Sequence, residues 1–126
     1  MSGALAVARI VCGAAVLACG LLLLGAFGWE PPVAPPQARA FQAAMHDAGY
    51  FLPIITIVFL ATGLSFIFDR YAALAALVLL PISVNMLLFH AVLGGGQLPI
   101  AVLFFGVNCY LLWYCRAAYR PLLRAR

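Results

Sequence analysis

Asn85, His90 and Asn108 are the residues of this chain whose types suit chemistry, because each interrupts a long apolar run with a group that hydrogen-bonds or carries a proton. A polar group in an apolar medium must find a partner, so these are the first positions at which to look for function. Counted from Gly96, Asn85 is eleven residues before and Asn108 twelve after. The two amides are therefore expected at nearly equal depth on adjacent helices, where they can hydrogen-bond to each other. Such a contact contributes roughly 0.6 to 2 kcal/mol in membrane proteins and makes a structural clamp. In the alternative, one amide faces a cavity and holds a polar ligand head such as a quinone carbonyl. His90 shares a helical face with Ser83 and Met86, and an imidazole titrates near neutral pH. It either reaches the interface and bonds the outer loop, or serves a proton-linked step or a quinone, with His46 and Asp47 approaching from that loop. Haem ligation by His46 and His90 is the weakest of these readings, because the apolar runs hold no second histidine.

The remaining reactive groups are sparse. Cys12, Cys19, Cys109 and Cys115 lie within or at the ends of apolar runs, with no Cys-x-x-Cys pair and no histidine at zinc-ligand spacing. They read as small buried hydrophobes. The functional alternative is a thiol relay between the first and last helices through Cys12 and Cys109. No Asp or Glu lies inside an apolar run, which weighs against a proton-coupled multidrug exporter. A nucleophile-base set, a phosphate loop and a nucleotide fingerprint are also missing, so the chain does not read as a self-sufficient enzyme.

The elements that must position these residues follow from composition. Of 126 residues, 67% are hydrophobic and 8% charged, where a soluble domain carries about a quarter charged. There is too little polar surface to cover a water-soluble globule, and the sequence predicts an integral membrane protein. A helix needs about 20 apolar residues to cross a hydrocarbon layer of ~30 Å. Four runs qualify, at about 4–27, 50–68, 71–93 and 98–115, and predict an all-α, antiparallel bundle of four transmembrane helices in a single domain covering 1–126. The first run continues unbroken from Ile10 to Phe27, longer than the 7 to 15 residues typical of a signal-peptide core. The tetrad Val16-Leu17-Ala18-Cys19 is a poor lipoprotein cleavage site, with a bulky leucine where a small residue is expected.

Arginine placement sets the expected orientation. Arg9, Arg70, Arg116, Arg120, Arg124 and Arg126 fall on one side and Arg39 alone on the other. The positive-inside rule makes the richer side, with both termini, cytoplasmic. Trp29, Tyr50, Tyr71, Trp113 and Tyr114 lie near the span ends, where amphipathic rings prefer the headgroup layer. The basic residues flank apolar runs and form no basic-aromatic patch, so no nucleic-acid partner is expected.

The links are short except one. Asp69-Arg70 and Gly94-Gly95-Gly96-Gln97 force antiparallel neighbours, with Pro99 suited to the first turn of the fourth helix. Pro81 falls mid-span and deprives the Leu77 carbonyl of its donor, which predicts a bend. The long outer link opens with an extended proline-rich stretch and then offers 37–48 as a short amphipathic helix entered through Pro36 and ended by Gly49. Its apolar face would hold Ala38, Phe41, Met45 and Ala48, with Gln42 and His46 elsewhere, and it is expected to lie on the membrane surface or cap the bundle.

From Gly49 onward the residues form a familiar pattern: Gly49-Tyr50-Phe51-Leu52-Pro53, then Leu80-Pro81-Ile82-Ser83-Val84-Asn85-Met86-Leu87-Leu88-Phe89-His90, then the run from Asn108 through Trp113-Tyr114-Cys115-Arg116, and last Tyr119-Arg120-Pro121-Leu122. This resembles the DoxX-like family of small bacterial membrane proteins, in the order the family has these stretches. The resemblance implies the same four-span fold. It departs at the first span, where many relatives carry a glycine followed by lysine and phenylalanine. This chain reads Leu24-Gly25-Ala26-Phe27-Gly28 and has no lysine at all, so any role of that lysine does not carry over. The family is named for a subunit linked to thiosulfate oxidation and quinone reduction. The resemblance therefore implies a membrane subunit or anchor for a soluble redox or sulfur-handling partner.

Three functions compete at this stage. The first is such a subunit, with a quinone or other polar ligand at Asn85, His90 and Asn108. The second is a permeation path for a small solute, suggested by Pro81 and the polar residues of a compact bundle. The third is a structural membrane protein whose polar positions tolerate apolar replacement. Four helices leave little room for an enclosed site, which makes a homo-oligomer a natural arrangement.

Overall fold

A computed structural model describes residues 3–23, 35–94 and 97–125, and among them every regular element is helical. The elements are α1 (Gly3–Leu23), α2 (Pro36–Asp47), α3 (Phe51–Ile67), α4 (Ala72–Val92), α5 (Leu98–Tyr114), α6 (Arg116–Tyr119) and a 3-10 helix (Arg120–Leu123). Helices α3, α4 and α5 match the apolar runs expected from sequence to within a residue. The far end of the first run, Trp29, the opening of the proline-rich stretch, Gly95, Gly96 and Arg126 lie outside the described residues. By length and composition, α1 and α4 suffice to cross a membrane, and the number rises to four if α2 with α3, and α5 with the segment after it, each count as one bent span.

Local chemistry explains the element boundaries. Pro36 opens α2, where its fixed φ suits a first turn and its missing N–H costs nothing. Gly49 follows the helix at φ +79, a conformation that L side chains resist, and the chain there turns through 90° into α3. Gly94 at φ +74 ends α4 in the same way, and Pro99 opens α5. Between α3 and α4 the turn is tighter and has no glycine. Asp69 and Tyr71 take φ values of 54° and 59°, and the Arg70 N–H donates to the Ser65 carbonyl at 3.0 Å. Aspartate tolerates that region better than tyrosine does. Pro81 sits inside α4, which runs unbroken around it.

Helices α1, α3, α4 and α5 pack in a closed ring in that order, with α2 against α3. The α1–α3 contact is the closest. A Cβ built on Gly63 would lie 2.9 Å from the Leu17 nitrogen and 3.0 Å from the Gly13 oxygen, so backbone meets backbone there and only glycine fits. Phe66, Leu79 and Val16 are fully buried at the centre. The outside of the ring is apolar as well: Val7, Ile57, Leu74 and Leu103 stand exposed on four different helices. A surface this apolar is rare among water-soluble monomers and suits a hydrocarbon solvent.

Candidate functional site

The three polar residues singled out by sequence lie in three different places. Asn108 is fully buried between α5 and α4. Its Nδ2 donates to the Ala76 carbonyl at 3.1 Å, and its Oδ1 accepts from the Ser83 hydroxyl at 2.8 Å. Both polar atoms of the side chain are satisfied, so this amide is a structural clamp across α4 and α5. The expected Asn85–Asn108 hydrogen bond is not formed, and Ser83 takes the place of Asn85. Depth along the helix was legible from residue counting, but direction around it was not. Ala76, Leu79 and Ser83 recur at helical spacing on the inward face, while Asn85 falls on the neighbouring face with Ile82, Met86 and Phe89.

That second face lines an open cavity of about 150 Å³ that α2 partly covers. Phe41, Gln42 and Met45 contribute from α2, Ile82, Asn85, Met86 and Phe89 from α4, and the walls are otherwise aliphatic or aromatic side chains of α1 and α3. The roof is held by an aromatic contact, with the Phe41 and Phe89 rings 5.7 Å apart between centroids. Neither Gln42 nor Asn85 has a hydrogen-bond partner among the described residues. Two amides without a partner, the half-buried Gln42 and the exposed Asn85, thus line one small, open apolar pocket, each offering a carbonyl oxygen and two N–H donors. Gln42 was placed off the apolar face of α2 by sequence, yet it is half-buried and lines this cavity. Ala48, expected on the apolar face, is exposed.

His90 lines neither this cavity nor the one beside His46. Its ring meets Phe89 edge-on at 5.2 Å, and its Nδ1 is buried without a hydrogen-bond partner. His46 borders a separate cavity of about 520 Å³ with Leu23, Leu52 and Leu60, and its Nδ1 lies 3.6 Å from Asp47 with both side chains about four-fifths exposed. The expected approach of His46 and Asp47 to His90 is therefore not what the fold builds, because the 90° turn at Gly49 directs the end of α2 over α3.

Sequence reasoning treated Arg9 only as an orienting charge. It is instead buried at the opposite end of the ring, where its Nη1 donates to the Phe66 carbonyl in the last turn of α3. Its Nε lies 3.6 Å from the Asp69 carboxylate in the α3–α4 turn. A cation at a helix C-terminus answers both the unpaired carbonyls and the macrodipole. The sequence signal was an arginine near the start of an apolar run; that Asp69 is its partner depends on how α1 packs against α3. Cys12, Cys19, Cys109 and Cys115 are all free thiols, and among the described residues no three His, Cys, Asp or Glu side chains gather as a metal site. No protein-family model, curated protein or solved structure matches this chain.

Proposed function

We propose that this chain is a four-span protein of a bacterial inner membrane, with both termini cytoplasmic, that holds the head of a lipid-soluble, carbonyl-bearing amphiphile of the quinone class beneath α2. In this reading α1, α3, α4 and α5 cross the bilayer. Helices α3 and α5, with 17 residues each, are about 26 Å long, and the flanking aromatic residues extend them to the headgroup layer. Helix α2 lies across their ends as a lid on the outer side. The protein serves as the membrane subunit of a soluble redox or sulfur-handling partner, as the DoxX-like resemblance implies.

The observation that carries the ligand reading is the pair of unengaged amides, Gln42 and Asn85, in an otherwise apolar chamber. About 150 Å³ holds one six-membered ring, and a tail would leave between helices into lipid. Amide N–H groups suit a ring carbonyl, which accepts but does not donate. The apolar walls and the few polar groups among them are those of a small-molecule site, and the volume takes a ring head with the rest of the molecule outside it.

The test is binding of a short-tailed quinone to the protein in nanodiscs. Asn85→Leu and Gln42→Leu each remove a hydrogen bond worth roughly 0.6 to 1.7 kcal/mol, so each should weaken binding about 3- to 20-fold. Unchanged affinity in the double variant would remove the site. Native mass spectrometry of the gently extracted protein addresses the subunit reading, which expects a co-purifying oxidoreductase and loses its ground if only lipid is retained.

A further inference from the structure

The segment after α5 has an unusual setting. Arg116–Leu123 is bent 67° from the axis of α5. Spans tilt by about 20° from the bilayer normal, so a segment at that angle to one runs along the membrane surface. It is pinned there by Tyr119, whose hydroxyl donates to the Ala73 carbonyl at the start of α4 at 2.6 Å. Arg116 folds back on α5, with its guanidinium carbon 4.4 Å from the Trp113 ring centroid and Nη1 donating to the Trp113 carbonyl at 2.9 Å. Leu122 and Leu123 close the segment and are 72% and 82% exposed.

The charge at this end is one-sided. Asp69 is the one acid near it in the sequence, and Arg9 already engages that carboxylate. Among the described residues, Arg70, Arg116, Arg120 and Arg124 have no carboxylate partner. Uncompensated arginines beside bare leucines, on a segment laid across a span, are the makings of an interfacial anchor.

We propose that Arg116–Arg124, together with Arg70, is a docking surface for anionic phospholipid. The guanidinium groups take headgroup phosphates, for which their planar fork is suited, and Leu122 and Leu123 enter the acyl boundary. An acidic protein surface would satisfy the arginines but would leave both leucines in water. The proposal rests on the multi-pass reading above and is independent of the cavity under α2.

The experiment uses the full chain in nanodiscs of equal phosphatidylcholine and phosphatidylglycerol, with retained lipids counted by native mass spectrometry and hydrogen exchange followed through 116–124. The expected result is preferential retention of phosphatidylglycerol, falling roughly fivefold for each arginine replaced in Arg120→Gln and Arg124→Gln. The preference should also fade for the native chain as salt is raised, a readout that needs no variant to fold. Exchange through the segment should be slower in anionic than in neutral discs. Equal retention of the two lipids, a preference that survives both substitutions, or protection only on adding an acidic polypeptide would each overturn the proposal. The double arginine variant should still bind quinone, and Asn85→Leu should still prefer phosphatidylglycerol, so the failure of one reading is separable from that of the other. A chain that does not insert into either disc overturns both.

Discussion

Replacing Asn108 is the perturbation that most directly separates the clamp from the ligand site. Asn108→Ala removes two hydrogen bonds at a fully buried position, one from Nδ2 to the Ala76 carbonyl and one from the Ser83 hydroxyl. At roughly 0.6 to 1.7 kcal/mol each in a membrane protein, the loss is about 1 to 3 kcal/mol, with a further cost for the space left behind. Ser83→Ala removes only the second bond. The Ser83 hydroxyl also lies 3.0 Å from the Leu80 carbonyl in its own helix, so in the Asn108 variant it has somewhere to turn, whereas the Ala76 carbonyl loses its donor from α5. Asn108→Ala should therefore cost more than Ser83→Ala. In a double-mutant cycle the two should couple by about 0.6 to 1.7 kcal/mol.

The assay is reversible unfolding in mixed micelles, with quinone binding measured on the same preparations. Destabilisation with unchanged quinone affinity is the expected pattern for Asn108, and the reverse is expected for Asn85. Coupling near zero between Ser83 and Asn108 would refute the clamp. A loss of affinity in Asn108→Ala at full stability would move the ligand from the chamber under α2 to the α4–α5 interface.

Other consequences follow from the packing and the charges. Gly63→Ala should destabilise by about 1 to 3 kcal/mol, since its Cβ would press on backbone of α1, while Gly106→Ala, with open space around it, should be neutral in the same unfolding assay. Asp69→Asn should cost more than about 1 kcal/mol despite preserving a side chain suited to positive φ, because it leaves the buried Arg9 charge with a carbonyl alone; equal stability would make the ion pair incidental. Burial first, and the nearby Cys115 second, push the Tyr119 phenol above its usual range. Its contribution should therefore be complete below about pH 10 and be lost as pH rises through the higher folded-state value, and Tyr119→Phe should abolish that alkaline loss in a pH series of unfolding midpoints.

The fold was legible because its largest signals are one-dimensional. Uninterrupted apolar length gives the helices, and Gly49, Gly94, Pro36 and Pro99 mark their ends by backbone chemistry that acts within one or two residues. The α1–α3 contact was less visible. Gly13 and Gly63 are separated by fifty positions, and nothing local to either says that the other is its counterpart. The polar residues show the same limit more sharply. Counting from the α4–α5 link gave Asn85 and Asn108 a common depth, and a partnership was inferred from it. Depth is one coordinate of a helix surface and azimuth is the other. The azimuth of Asn108 is set by which residues of α4 it faces, and that depends on helix rotation fixed by Leu79, Ala76 and Phe66 in the core. Ser83, a shorter polar side chain than an amide, holds the inward azimuth.

This division of labour has a physical logic. An amide with both polar atoms satisfied, such as Asn108, has nothing left to offer a ligand, so the most deeply buried polar residue of a bundle is its poorest candidate for binding. Gln42 is half-buried and Asn85 exposed, and neither makes a hydrogen bond to the described residues, so both keep their donors and acceptors free. Helix α2 is tied to α4 by the Phe41–Phe89 contact and turns through 90° into α3 at Gly49. If the chamber takes a carbonyl head, Phe41→Ala should loosen the lid and speed quinone release with little change in global stability, because α2 packs on the ring without forming part of its core. Stopped-flow displacement would measure it. An unchanged off-rate in Phe41→Ala, beside a reduced affinity in Asn85→Leu, would mean that the ligand enters and leaves between helices from the lipid and that α2 is a fixed roof.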